Sequence, residues 1–229
     1  VDPSTPKDPD VMSDYSEAVP IFPLAGLVFF PGTVLPLHLF EPRYREMALE
    51  LLEGEGLLAV ALLEEGWEED ATGETPIFPI VTVGRARRWE RQEDGSLNVE
   101  LVGLGRARIL GEVAGKSWRR ARLQPLEELP VDPEETRELS QSLLWGLQRL
   151  VGAEKSDPSE IKLDPSLDLG RFCDSLAFLL PMEPARKMGL LAELNPAVRA
   201  RALVAHLEEL RRKGTLRRVV HILPGFSLN

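Results

Sequence analysis

The spacing of apolar positions changes once along the chain, and that change divides it. From Val19 to about residue 126 apolar residues come in short runs, several alternating with polar ones; beyond it they recur with the period of a helix. Val19-Pro-Ile-Phe-Pro-Leu24 and Val34-Leu-Pro-Leu-His-Leu-Phe40 read as short strands whose prolines suit a sheet edge or a strand end. Phe29-Phe30-Pro31-Gly32 between them reads as a turn. Glu41 to Leu52 predicts a helix, with Pro42 at its first position, Met47-Ala48 and Leu51-Leu52 as apolar pairs, and Gly54 as its stop. Leu57 to Leu63 is continuously apolar and of strand length, as a strand buried on both faces would be. After a polar, acidic loop over 64–75, a long strand runs from Ile80 towards Trp89. Glu93-Asp94-Gly95-Ser96 is a hairpin turn signal, and Leu97 to Leu110 returns from it. Gly103 and Gly105 in that return strand mark a bulge or a close backbone approach. A strand around Trp118 to Leu123 makes six. Six strands with one early helix predict an α+β domain on a curled, antiparallel or mixed sheet, and the regular strand–helix alternation of a Rossmann fold is missing.

The second part reads as a small α-helical bundle. Asp132-Pro133-Glu134-Glu135 starts a helix whose apolar face holds Leu139, Leu143, Leu144, Leu147, Leu150 and Val151. A polar loop covers 152–166. A second helix carries Leu169, Phe172, Leu176 and Leu179; Pro184 opens a third, ending near Leu194. Asn195-Pro196 caps a fourth, expected to turn Val198, Leu203, Leu207 and Leu210 inwards and to end at Lys213-Gly214. The expected organisation is a disordered leader over 1–18, a sheet domain over 19–126, a helical domain over 127–212 and a tail over 213–229.

Composition narrows the class. The chain has 229 residues, 43% of them apolar and 28% charged, which suits a folded protein rather than a low-complexity one. Its one cysteine, Cys173, forms no internal disulfide, so a reducing, cytoplasmic setting is expected. The apolar runs are far shorter than the roughly 20 residues of a membrane span, and no signal peptide is visible, so no membrane partner is expected. The net charge is −10, but it is uneven. Residues 41–76 hold two basic and eleven acidic residues, whereas 84–122 hold ten basic and five acidic.

Little in the sequence argues for catalysis. Gly111-Glu-Val-Ala-Gly-Lys-Ser117 has three residues between its glycines where a phosphate-binding loop needs four, and reads as a strand-linking turn. His38, His206 and His221 are scattered, and no zinc-ligand spacing or Gly-x-Ser-x-Gly elbow occurs. His206 reads as a packing residue and Cys173 as a small buried hydrophobe. No catalytic residue, metal or cofactor is expected.

The run from Pro20 to Met47, PIFPLAGLVFFPGTVLPLHLFEPRYREM, closely resembles the N-terminal substrate-binding domain of Lon proteases, nearest to the stand-alone bacterial Lon-N proteins. Pro79-Ile-Val-Thr-Val-Gly-Arg85 leading to Asp94-Gly95, Leu101-Val-Gly-Leu-Gly-Arg-Ala-Arg-Ile109, and the helical stretch from Asp174 to Leu210 look like further blocks of that family. The resemblance spans 19–212. It implies a PUA-like pseudo-β-barrel followed by a helical bundle, and a bacterial module that recognises proteins or unfolded polypeptide in connection with proteolysis. The ATPase and Ser–Lys protease parts of Lon are expected to be absent. Glu41, Arg43 and Tyr44 match positions that recur in the family's motif. Oligomeric state stays open.

Two candidate surfaces follow. One is the Phe-rich turn, with Phe29, Phe30, Phe40 and Tyr44 as candidate peptide-binding residues if some of the rings are half exposed; the plainer reading has them plug one end of the barrel. The other is an arginine face. Strand alternation puts Arg85 with Arg87, Arg106 with Arg108 and Arg120 with Arg122 on common faces, a possible site for an anion or an acidic partner. Because the resemblance implies a fold that also occurs in RNA-binding proteins, an RNA- or phosphate-binding module is the alternative function. The net charge and the scarcity of aromatics argue against nucleic acid. In the plainer reading these arginines pair with the acidic residues of 41–76 and of neighbouring strands.

Overall fold

A computed structural model describes residues 18–64, 75–150 and 168–214. The expected leader, acidic loop, polar loop after the first bundle helix, and tail fall largely or wholly outside those residues, as do Val151 and His221. The chain divides into two compact units, 1–127 and 128–229.

The first unit is a mixed six-stranded sheet with one helix. In chain order it contains β1 (Val19–Leu24), β2 (Val34–Leu39), α1 (Pro42–Glu53), β3 (Leu57–Leu62), β4 (Ile80–Arg91), β5 (Leu97–Glu112) and β6 (Arg120–Leu126). The strand order is β2-β5-β4-β3-β1-β6, and β5 also pairs with β6. Five strands therefore form a closed circuit of pairings, while β2 pairs with the first half of β5, from Leu97 to Val102. The second half of β5, from Arg106 onward, pairs with β6 instead. Only β1 and β3 run parallel, joined through β2 and α1 as a parallel pair requires. One face of the circuit is dry: Val19, Ile21, Ala59, Ala61, Val81, Val83, Ala107, Ala121 and Leu123 form a buried cluster. Its four alanines are the small members that a tightly curved sheet needs where strands converge.

The loop between β1 and β2 is bound to the sheet rather than free. Gly32 N donates to Gly103 O and Gly103 N donates to Thr33 O, both at 2.9 Å. The Thr82 hydroxyl donates to Phe29 O at 2.7 Å, and the Thr33 hydroxyl to Phe30 O at 2.7 Å. Both kinds of feature expected of the β5 glycines are present here. The register of β4 on β5 shifts between Val83 and Gly84. A Cβ on Gly103 would collide with the Phe30 carbonyl oxygen and come within 3.0 Å of Pro31 Cα. At the far end of the hairpin, Gly95 has φ 81°, and the Asp94 carboxylate accepts from Ser96 N and from its hydroxyl. Those two bonds, the hydroxyl's first, hold the Asp94 carboxyl below its ordinary pKa.

The second unit contains α2 (Pro133–Leu150), α3 (Leu169–Leu179), α4 (Pro184–Ala192) and α5 (Pro196–Lys213). Each cap has a local cause. Asp132 accepts from the Glu134 and Glu135 amides, Asp168 from Arg171 N and Asn195 from Ala197 N; Gly214 ends α5 at φ 63°. On α5 the expected inner face is right for Leu203, Leu207 and Leu210, but Val198 is exposed and Arg199 beside it is fully buried. The reason is an ion cluster. Arg199 donates to Glu193 O at 2.8 Å and to the Glu128 carboxylate, and its Nε lies 3.6 Å from Asp174 Oδ1. Gly170 on α3 leaves the space that Glu128 fills. His206 is a packing residue, its Nε2 2.9 Å from Pro181 O and its Nδ1 2.9 Å from Arg186 Nη1.

Gly103→Ala is expected to cost about 2–3 kcal/mol, because backbone on both sides of the contact must move. Gly111→Ala, with open space at its Cβ, is expected to stay within about 0.5 kcal/mol. Urea denaturation of the two variants measures the difference.

Candidate functional site

The four residues of the Phe-rich candidate site do not share a surface. Phe29 is 1% exposed and Phe30 0%, so neither ring can be touched from outside in this fold. Phe29 lies against the Gly84–Leu101 crossing, where a Cβ on Gly84 would come within 3.0 Å of its ring. Tyr44 is also buried, edge-on to Phe22 with centroids 4.7 Å apart and with the Arg43 guanidinium 4.6 Å above its own ring. Phe40 alone of the four is a surface group, 61% exposed and stacked on His38 at 5.9 Å. The expectation of half-exposed rings is therefore corrected for Phe29 and Phe30, and the Tyr44 ring is buried in the fold as well. The loop's hydrogen bonds to Thr82 and Gly103 turn the two phenylalanines inwards.

The arginines do not form one face either. The register keeps Arg106 and Arg108 on one face with Arg122. But Arg106 pairs with Thr82, three positions before Arg85 on β4, so Arg85 faces the other way, and Arg87 is the extra residue of a bulge. Arg106 is buried opposite Thr82 and Leu126. Arg85 and Arg120 are partly buried, each with a Nε that is shielded from solvent. Arg120 approaches Glu50 at 4.0 Å, and Arg87 pairs with Glu100 at 3.2 Å. Arg108 and Arg122 are exposed and carry no ion pair among the described residues. Acidic neighbours thus take up part of the charge, as in the plainer reading of the sequence.

A different apolar surface exists on the first unit. Trp89 on β4 is 53% exposed and Leu49 on α1 is 46% exposed. Arg45 of α1 donates from Nη1 to Asp94 O at the hairpin tip, 3.2 Å, and after the helix Gly56 O accepts from Ala86 N of β4, 2.8 Å. Leu49 stands one turn after Arg45 on the same flank of the helix. It also lies one turn from Glu46 and from Glu53, on the exposed side of the helix. Arg87, Arg88 and Arg91 surround the tryptophan in sequence and are all exposed. The other flank of α1 is held by Lys116 Nζ on Glu50, 2.5 Å, and by Ser117 on Glu46, 3.3 Å. Those bonds place the near-miss glycine motif in the turn between β5 and β6, with Lys116 over the Trp118 ring at 5.2 Å. Leu49 was not singled out in the sequence because a helix of alternating Leu and Glu has no unique outer leucine. Trp89 had a signal: beyond Ala86, β4 reads Arg-Arg-Trp-Glu-Arg, and a lone aromatic among charges is a surface aromatic.

Among the described residues no cluster of three or more His, Cys, Asp or Glu could hold a metal. Cys173 is buried, its Sγ 3.8 Å from Pro196 O. No helix among them is long and apolar enough to cross a membrane. Phe30→Ala is expected to destabilise the fold by about 3–5 kcal/mol, whereas Phe40→Ala should stay within about 0.5 kcal/mol. Thermal melts distinguish the buried ring from the surface one.

Comparison with known proteins agrees with this architecture. The model of the ATP-dependent protease La (LON) substrate-binding domain matches residues 18–209. The chain is 27% identical over 237 residues to Lon protease 2 of Sorangium cellulosum, covering 99% of this chain and 29% of that protease. It is 26% identical over 197 residues to Lon protease of Escherichia coli K12, covering 83% and 24%. It thus spans less than a third of the length of the Lon proteases it matches. Its fold is similar to the N-terminal domain of the Mycobacterium avium complex Lon protease, with a TM-score of 0.63 at 20% identity over 84% of this chain and 99% of that one. A Lon N-terminal domain protein from Xanthomonas campestris gives 0.57 at 21% identity, over 82% and 98%. The chain belongs to the Lon protease substrate-binding domain family.

Proposed function

We propose that the chain is a non-catalytic module that binds unfolded polypeptide, with the β4–β5 hairpin and the adjoining flank of α1 as its docking surface. The family match supports the class of partner. The observation that carries the surface is the exposure of Trp89 on β4 and of Leu49 on α1, a helix tied to the β4–β5 hairpin tip by Arg45, with exposed Arg88 and Arg91 flanking Trp89 in sequence. An apolar centre with a charged rim is the anatomy of a protein-binding site, and tryptophan is the residue type most often found at its energetic centre. The closed circuit of strand pairings, with β2 appended, supports reading the first unit as a PUA-like pseudo-barrel. That framework would hold the hairpin rigidly.

The chemistry of the module is then recognition without turnover. Apolar side chains of an extended segment would cover Trp89 and Leu49, and arginines at the rim would favour segments that also carry carboxylates. Fluorescence anisotropy with a permanently unfolded, reduced and carboxymethylated protein tests this. The wild-type chain is expected to bind, and a Trp89→Asp/Leu49→Asp variant to bind at least about tenfold more weakly, the loss of one well-buried anchor. Absence of binding by the wild-type chain overturns the function, and an unaffected double variant overturns the surface. RNA binding retains one favourable observation, the unpaired Arg108 and Arg122. A salt titration of RNA binding separates the readings: a steep negative slope of log affinity against log salt favours RNA, and a flat or absent response removes that reading.

A further inference from the structure

β2 is an edge strand: it ends the strand order, and β5 is its one strand partner among the described residues. Two bonds fix which of its backbone groups face β5. At the hairpin, Gln92 N donates to Ser96 O, so the even-numbered residues from Ser96 to Glu100 turn their N–H and C=O groups to β4. At the other end of the β2 pairing, Gly103 N donates to Thr33 O, so the odd-numbered residues of β5 turn theirs to β2. The register between β2 and β5 runs without a shift from Val34↔Val102 to Leu39↔Leu97. Leu35, Leu37 and Leu39 therefore hold the bonds to β5, and the backbone groups of Val34, Pro36 and His38 face outwards. Proline fits position 36 because its missing N–H falls on the open side, where the sheet needs none. Among the described residues nothing bonds to these outward groups. The side chains of Val34, Pro36, His38 and Phe40 are all exposed beside them.

We propose that the free edge of β2 takes up an extended segment of unfolded polypeptide as an added antiparallel strand. This rests on the polypeptide partner proposed above and adds a second surface, one that reads backbone rather than side chains. Opposite Val34 and opposite His38 an incoming residue exchanges both of its backbone bonds. Opposite Pro36 it gives its N–H to the proline carbonyl, so the middle residue of the segment is not itself proline. Alternate side chains of the segment then lie beside Val34, Pro36 and Phe40, which favours apolar residues at every second position. A second copy of the chain fits this edge less well. Antiparallel pairing that matches Val34 with His38 sets Pro36 against Pro36, and neither carbonyl meets a donor.

Residue-resolved hydrogen exchange of the full chain tests the edge, with a reduced and carboxymethylated protein as the permanently unfolded probe. In the free chain the amides of Val34 and His38 should exchange at least about tenfold faster than those of Leu35, Leu37 and Leu39. A saturating concentration of the probe should slow Val34 and His38 at least about tenfold. Val34→Pro/His38→Pro removes both outward donors and no bond to β5. It should keep the protection of Leu35, Leu37 and Leu39 and bind the probe about tenfold more weakly. Should that variant lose the protection, the two wild-type amides alone decide. Probe binding that leaves both amides unprotected overturns the edge and spares the polypeptide-binding reading, whereas no binding overturns both. Protection of the two amides already in the free chain overturns the proposal too, and assigns the edge to a second copy where it grows with protein concentration.

Discussion

The first unit depends on the attachment of one loop to two strands. Gly103 exchanges backbone hydrogen bonds with Gly32 and Thr33, and the Thr82 hydroxyl takes up the carbonyl of Phe29. The contact is possible because Gly103 has no Cβ. It falls where β5 passes from its pairing with β2 to its pairing with β6, so one strand serves an open sheet at one end and a closed circuit at the other. The same bonds turn Phe29 and Phe30 inwards, where they supply the large side chains that the alanine-rich inner cluster does not.

In the second unit a buried charge has the comparable role. Arg199 gathers a carbonyl from the α4–α5 corner, a carboxylate preceding α2 and a carboxylate of α3. Such a cluster contributes little net stability, since desolvation offsets most of its attraction. Losing a partner would nevertheless leave an uncompensated charge in the interior, so the cluster selects one arrangement of these helices over others.

Most elements could be read from the chain because their signals are local. Pro42, Asp132, Asn195 and Gly214 mark helix ends through their own backbone chemistry, and Asp94-Gly95 marks the hairpin in the same way. Side-chain exposure was less legible because it depends on contacts distant in sequence. Phe29 and Phe30 are interior only because the loop meets Thr82 and Gly103, some fifty and seventy residues away. The arginine face failed for another reason. Arg85 and Arg106 lie on opposite faces because of how β4 and β5 register, and contacts distant in sequence bury Arg106 while Arg108, two residues on, stays exposed. On α5, Arg199 displaces Val198 from the inner face because carboxylates on other elements compensate its charge. Of the proposed docking surface, Trp89 had a sequence signal, while nothing local singles out Leu49 among the leucines of α1.

The opposed charges of 41–76 and 84–122 meet in specific places, Glu50 with Lys116 and Arg120 being the clearest. They tie α1 to the turn between β5 and β6, while Leu49 stays exposed. Hydrogen–deuterium exchange of the full chain with and without an unfolded polypeptide tests this account most directly. It predicts added protection at the amides of 87–92 and 49–53, with those of 29–33 unchanged. Protection confined to 29–33, or absent from the hairpin at a saturating polypeptide concentration, would contradict it.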